Sequence, residues 1–258
     1  MEDKNLCFIL STCIQNPKHL RQLHRCVNSI ILFFPGTPIF VVDDTRVSIE
    51  LNFPDNITII KSSKQGSADQ QVFSVFRDIG YKKAVIIQDS MVLLNKFPVD
   101  DCGDINFMWY FTNHRRDWDR IIEPISGITH TELIRSRLYQ DYSQNIDFLT
   151  FAMSRLNDKN LWCGAFGNCC VVTRESLDFL DSVVPFIDTM VTYTTNRLRR
   201  VNESILSLIC HFVYNGRNFA NSSVDGHYNN TNQGNSTNFD GLSWCHTGTY
   251  IGKVSFNR

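Results

Sequence analysis

Apolar and polar positions fall into alternating blocks along residues 5–95. Leu6-Cys7-Phe8-Ile9-Leu10 is an unbroken apolar run closed by Ser11-Thr12, the pattern of a strand covered on both faces. Pro17 then opens a stretch in which Leu20, Leu23, Val27, Ile30 and Ile31 recur at helical spacing, and Phe34-Pro35-Gly36-Thr37-Pro38 stops it. Residues 39–42 read as a second strand ending in Asp43-Asp44, and residues 57–60 as a third. After a loop with Gly66, residues 67–79 read as a helix with Gly80 as its C-terminal cap. Residues 85–87 are the fourth strand. Strands alternating with helices at this spacing predict an α/β fold with a parallel sheet and crossover helices.

Beyond residue 95 the pattern loosens. Residues 106–111 read as another strand, a polar Arg-rich segment runs to Pro124, and residues 133–156 carry helix-like spacing. Residues 161–173 are rich in Gly and Cys around Trp162 and pass through a tight turn into a strand at 169–173. Residues 175–184 and 202–214 read as helices, the second capped by Asn202 and stopped at Gly216. Residues 218–240 are dominated by Asn, Ser, Thr and Gly and are expected to form a flexible loop, with order returning at 244–256. There is no internal repeat.

Composition narrows this picture. At 258 residues, 43% hydrophobic and 20% charged, the chain has enough apolar surface for one large core. A net charge of -1 without a long block of like charge argues against a broad nucleic-acid footprint. Arg115-Arg116 and Arg197/Arg199/Arg200 read first as solvated faces. Nine cysteines without CxxC spacing point to buried thiols in a reducing compartment. The start Met1-Glu2-Asp3-Lys4 has no signal-peptide pattern, and the apolar region 27–42 is cut by Pro35-Gly36 and Pro38. The expectation is a cytoplasmic protein without a transmembrane segment, in which the sequons at Asn56, Asn221 and Asn235 carry no weight.

The sharpest break in the apolar pattern is Asp89, between Ala84-Val85-Ile86-Ile87-Gln88 and Ser90-Met91-Val92-Leu93-Leu94. A carboxylate at the carboxyl end of a parallel strand stands in the crevice where open α/β sheets bind ligands. There it is a candidate for a divalent cation that bridges phosphates. Asp43-Asp44 either meet a ribose, base or metal at the same edge or cap a turn. In the run from Trp162 to Asn168, Gly164 and Gly167 allow close backbone approach to a ligand, and Trp162 offers a stacking face for a sugar. Glu203, at an expected helix start, is either a general base toward a hydroxyl or a charge that complements the helix dipole. His211 reads as a core residue, whereas His227 and His246 lie where either could reach a metal or phosphate, His246 being the favoured ligand.

In this order the residues resemble the GT-A glycosyltransferases, the nucleotide-diphospho-sugar transferase fold. The resemblance is carried by strand ends at Ser11-Thr12 and Asp43-Asp44, by the segment from Gly66-Ser67-Ala68-Asp69 to Gly80, and by Ile87-Gln88-Asp89-Ser90. The run from Trp162 to Gly167 and Glu203 on a late helix complete it, so that it covers most of residues 5–215. It implies a single GT-A-like domain, a mostly parallel sheet flanked by helices. Residues 1–100 would hold the nucleotide-sugar and residues 101–258 would face the acceptor. The chain departs from the family at the metal motif, where an Asp-x-Asp is replaced by Gln88-Asp89-Ser90.

The resemblance implies transfer of a sugar from a nucleotide-diphosphate donor, a UDP-sugar first, to a hydroxyl of a glycan or other acceptor, with inversion. It implies Glu203 and Asp89 as catalytic residues. Ser11, Thr12, Asp43, Asp44, Asp69, Gln88, Ser90, Trp162 and Gly164 would line the donor site. Mn2+ or Mg2+ would sit on Asp89, with His246 completing its coordination. Two other readings stay open: a sugar-nucleotide or glycan-binding module without catalysis, and a sugar nucleotidyltransferase. The latter is disfavoured because Cys13-Ile14-Gln15-Asn16-Pro17 after the first strand holds neither glycine nor arginine.

Overall fold

The apolar run that opens the chain becomes the inner strand of a six-stranded sheet. The computed structural model describes residues 5–45, 53–112, 163–190, 196–214, 219–227 and 243–255. In chain order the first elements are β1 (Leu6–Thr12), α1 (Pro17–Phe33), β2 (Ile39–Asp43), β3 (Ile57–Lys61), α2 (Ala68–Ile79) and β4 (Lys83–Gln88). The short strands β5 (Met91–Leu93), β6 (Ile105–Phe107), β7 (Tyr110–Phe111) and β8 (Gly164–Ala165) follow. A 3-10 turn (Phe166–Asn168) leads into β9 (Cys170–Thr173). Helices α3 (Arg174–Val183), α4 (Ile187–Met190) and α5 (Asn196–Val213), a second 3-10 turn (Phe219–Ser222), and strands β10 (Ser243–Thr247) and β11 (Ile251–Ser255) complete the described elements.

The main sheet has the order β3-β2-β1-β4-β9-β6. Strands β1 to β4 pair in parallel, β9 runs against β4, and β6 runs against β9. This is an α/β fold with a mixed, mostly parallel sheet. Side chains of β1 alternate between two cores, as strand geometry requires. Phe8 and Leu10 join Leu23, Val27 and Ile30 of α1, whereas Cys7 and Ile9 join Val72, Phe73 and Phe76 of α2 and residues of α3, α4 and α5. Covering on both faces explains why β1 and β4 are nearly continuous apolar runs.

The second sheet, β10-β11-β5, is antiparallel. Met91, Leu93 and Ile251 bring it into the core on the α1 side. The chain therefore leaves the main sheet at Gln88, turns through Asp89-Ser90 and enters another sheet at Met91. That turn, rather than a continued strand, is why a carboxylate interrupts the apolar run.

Several local expectations change. Residues 106–111 form two short strands joined at Met108-Trp109 rather than one. Helix α5 begins at Asn196, so Asn202 is an interior residue, fully buried, and not a cap. Residues 219–227 are ordered: Val224 and Asp225 N–H groups donate to the carbonyls of Phe107 (2.8 Å) and Met108 (2.9 Å), and Tyr110 N–H donates to Gly226 O (3.0 Å). The rest of the expected loop, the helix expected at 133–156, the Arg-rich segment with Arg115-Arg116, and Trp162 lie outside the described residues. Among the described residues no cysteine is in a disulfide. No described helix is long and apolar enough to cross a membrane.

Helix α1 starts at Pro17 because Asn16 caps it. The Asn16 side-chain oxygen accepts from Lys18 N–H (2.9 Å) and His19 N–H (3.2 Å), and Pro17 needs no N–H partner. Replacing Asn16 by Ala removes both bonds and should cost about 1 kcal/mol, or about 2–4 °C in thermal midpoint. An unchanged midpoint by calorimetric scanning would contradict the capping role.

Candidate active site

The strand order places a topological switch between β1 and β4. From β1 the chain builds outward through β2 and β3, then returns to add β4 on the other side of β1. Open α/β sheets bind ligands at such a point, outside the carboxyl ends of the strands. Register brings the polar residues there into one row. Thr12 stands opposite Asp43, Asp43 opposite Lys61, and Ser11 opposite Gln88. Because β9 is antiparallel, its amino end and the 3-10 turn before it arrive at the same edge, with Cys170 opposite Ile86.

Ser11 and Thr12 project to opposite faces and reach different carboxylates. Ser11 Oγ donates to Asp69 Oδ1 in the first turn of α2, and Thr12 Oγ1 donates to Asp89 Oδ2 at 2.6 Å. Asp89 N–H donates to Ser11 O at 3.1 Å, which ties the turn after β4 to the end of β1. Asp69 at a helix N-terminus is also favoured by the helix dipole. Asp89 as a residue keeps some solvent contact, but protein surrounds its carboxyl. Burial therefore pushes its pKa above the usual carboxylate value; the Thr12 hydroxyl opposes this, Asp69 adds to it, and Lys253 and His19 oppose it.

Lys253 and His19 were not among the residues expected from sequence. Lys253 arrives on β11, opposite Met91, with Val254 N–H donating to Ser90 O at 2.9 Å. Its Nζ donates to Gln88 Oε1 (2.7 Å) and Ser90 Oγ (2.9 Å), and lies 5.1 Å from the centre of the Phe166 ring. The hairpin that delivers it is fastened by Asp225, whose carboxylate accepts from Thr249 N–H (2.7 Å) and Ile251 N–H (2.7 Å). The one available signal was composition: Lys253 is the only charged residue in 241–256.

Asp43 and Asp44 sit at the same edge but are turned inward, 2% and 4% exposed. Asp43 accepts from Lys61 Nζ (2.5 Å) and Thr45 N–H (2.8 Å), and Asp44 accepts from Gly66 N–H. Both carboxylates brace the loops around the crevice. Gly164 has an internal reason to be small: a Cβ there would overlap the Phe111 ring. Gly167, with φ +64°, packs against the Gln88 amide, where a Cβ would meet Gln88 Nε2 at 3.1 Å.

Glu203 lies inside α5, half-buried, and not at the helix start; the dipole explanation for it no longer applies. Helix α5 packs on β8 and the 3-10 turn. Glu203, Asp69 and Lys253 all act electrostatically on the fully buried Cys169 thiol, whose pKa is raised well above normal, chiefly by burial. His211 is buried in α5, as expected of a core residue, and His227 Nε2 lies 3.2 Å from Thr112 Oγ1. His246 lies on β10 opposite Lys253 in the backbone register, and its side chain is outside the described residues.

A recess of about 760 Å3 opens at the opposite, amino edge of the sheet, lined by Lys82, Lys83 and Arg174 together with Asp100, Glu175 and Asp178. Two of its cations serve the fold. Lys83 Nζ donates to Val99 O (3.0 Å) and Cys102 O (2.9 Å), and Arg174 donates to the carbonyls of Phe76 and Arg77. The hydrogen-bonded cluster of Ser11, Thr12, Asp69, Gln88, Asp89, Ser90 and Lys253 lies at the carboxyl edge instead. Comparison of the sequence with known protein families and with characterised proteins returns no match.

The raised pKa of Asp89 has a sign that can be tested. Folding favours its protonated form, so above the ordinary value of 3.8 the folded state bears the cost of a desolvated charge, and stability falls as pH rises through the raised value. Asp89→Asn keeps an oxygen for Thr12 and removes the charge. It should raise the thermal midpoint at pH 7, and the gain should vanish toward pH 3.8. A loss of midpoint of the same size at every pH would contradict this reading.

Proposed function

We propose that the chain is a glycosyltransferase of the GT-A type. It takes a sugar from a nucleotide-diphosphate donor, a UDP-sugar first, and passes it with inversion to a hydroxyl of a glycan or other acceptor. The observation that carries this reading is the polar cluster at the switch point, where Ser11 donates to Asp69, Thr12 donates to Asp89, and the Lys253 ammonium donates to Gln88 and Ser90. Residues 1–100 supply most of the donor side, Lys253 joins it from β11, and the rest of residues 101–258 form the acceptor side.

As the sugar leaves, negative charge grows on the β-phosphate. Positive charge and hydrogen-bond donors fixed at that point lower the barrier, because they need no reorganisation. Glu203 serves as the base that takes the proton of the acceptor hydroxyl on the opposite face of the sugar. Holding both reactants in one crevice removes most of the entropic cost of their encounter.

A divalent cation, which the family resemblance implies, supplies Lewis-acid stabilisation of the same charge when bound. The donor set here suits it poorly. Hard cations want several oxygens, and Asp89 offers one carboxylate already engaged by Thr12. Gln88 Oε1 and Ser90 Oγ both face the Lys253 ammonium, which repels a second cation. Among the described residues no three His, Cys, Asp or Glu side chains are grouped to hold a metal.

Calorimetric titration with UDP and GDP should show saturable binding, with Kd in the range of about 1 μM to 1 mM. Glu203→Gln should leave UDP affinity unchanged and lower kcat about 10²- to 10⁴-fold. Absence of binding by any sugar nucleotide would overturn the proposal. The engagement of Gln88 and Ser90 by Lys253 favours, as a second reading, a sugar-nucleotide-binding module; tight UDP binding with no transfer or hydrolysis of any UDP-sugar would select it.

A further inference from the structure

We infer that Lys253 is the built-in cation of the donor site: its ammonium contacts the donor diphosphate at the place between residues 88 and 90, and binding there needs no divalent metal. The inference rests on the proposed function and names the group that receives the phosphate charge. Its basis is position. Gln88 and Ser90 flank Asp89 in the chain, and Lys253 bonds to both, so the ammonium bridges the turn at the topological switch point.

The charge is fixed rather than swinging. Strand β11 is registered against β5, and Val254 N–H is tied to Ser90 O, so the Lys253 backbone runs alongside the turn that bears Asp89. The Phe166 face, 5.1 Å from Nζ, supports the ammonium from another side. Phe166 itself rests edge-on against the buried Trp109, with ring centres 6.1 Å apart.

The neutrality of Gln88 and Ser90 then has a reason. Two neutral oxygens orient the ammonium and add no negative charge of their own at these positions. Carboxylates at those positions would form ion pairs with it and weaken its pull on a phosphate. A lysine ammonium is a compact point charge that suits phosphate oxygens. Lys253 keeps intermediate exposure, so its side chain is not sealed from solvent.

The test is calorimetric titration of the full chain with UDP and with uridine, in EDTA and with Mn2+. Unaltered protein should bind UDP equally in both conditions. Lys253→Met should weaken UDP about tenfold to a hundredfold, leave uridine affinity unchanged, and be largely restored in Lys253→Arg. UDP binding that requires Mn2+, with Lys253→Met equal to the unaltered protein, would overturn the role of Lys253 and leave the donor-binding reading standing. No binding of UDP, GDP or any other nucleoside diphosphate would overturn both. The EDTA comparison uses the unaltered protein, so it decides the metal question even where Lys253→Met fails to fold.

Discussion

Parallel pairing of β1 with a neighbour on each side constrains everything else in this molecule. With both edges paired and helices packed on both faces, each residue from Cys7 to Leu10 must be apolar, and polar side chains are admitted only where the strand ends. At that end two successive hydroxyls project to opposite faces and find two different carboxylates, Asp69 on a helix and Asp89 on a turn. A one-residue slip in register would exchange the two faces and separate both pairs. The same edge receives β4, β9 and the 3-10 turn, so the polar cluster is a consequence of strand alignment.

Stability and chemistry pull in opposite directions at this edge. Asp89 holds a carboxyl where burial disfavours its charge, and one hydroxyl does not fully offset that. Asp43 and Asp44 show the alternative solution, with each carboxylate satisfied by a lysine or by backbone N–H groups. They brace the loops, whereas Asp89 and Lys253 stand at the switch point itself. Strained charge at one point and satisfied charge beside it is the pattern expected where binding, and not packing, sets the residue.

Much of the first half was legible in the sequence because local pattern determines it. Apolar runs closed by Ser11-Thr12, Asp43-Asp44 and Gln88-Asp89 gave strands that end at those residues. The αL cap at Gly80 and the helix opening at Pro17 follow from backbone chemistry alone. The second half was harder. Asn196 to Arg200 looked like a solvated charge run, which hid the first turns of α5 and made Asn202 look like a cap. The packing of Gly164 against Phe111 was not legible because the two are distant in sequence. Lys253 is 163 residues from Ser90, and no local periodicity links a lone lysine in a short strand to a turn in the other half.

Amide hydrogen exchange with and without UDP tests the central claim most directly, because it reports where the ligand sits. The account predicts added protection at Ser11–Cys13, at Asp69, at Asp89–Met91 and at Gly252–Val254, with Lys82, Lys83 and Arg174 at the amino edge unchanged. Protection confined to the amino edge, or spread evenly over the sheet, would contradict it.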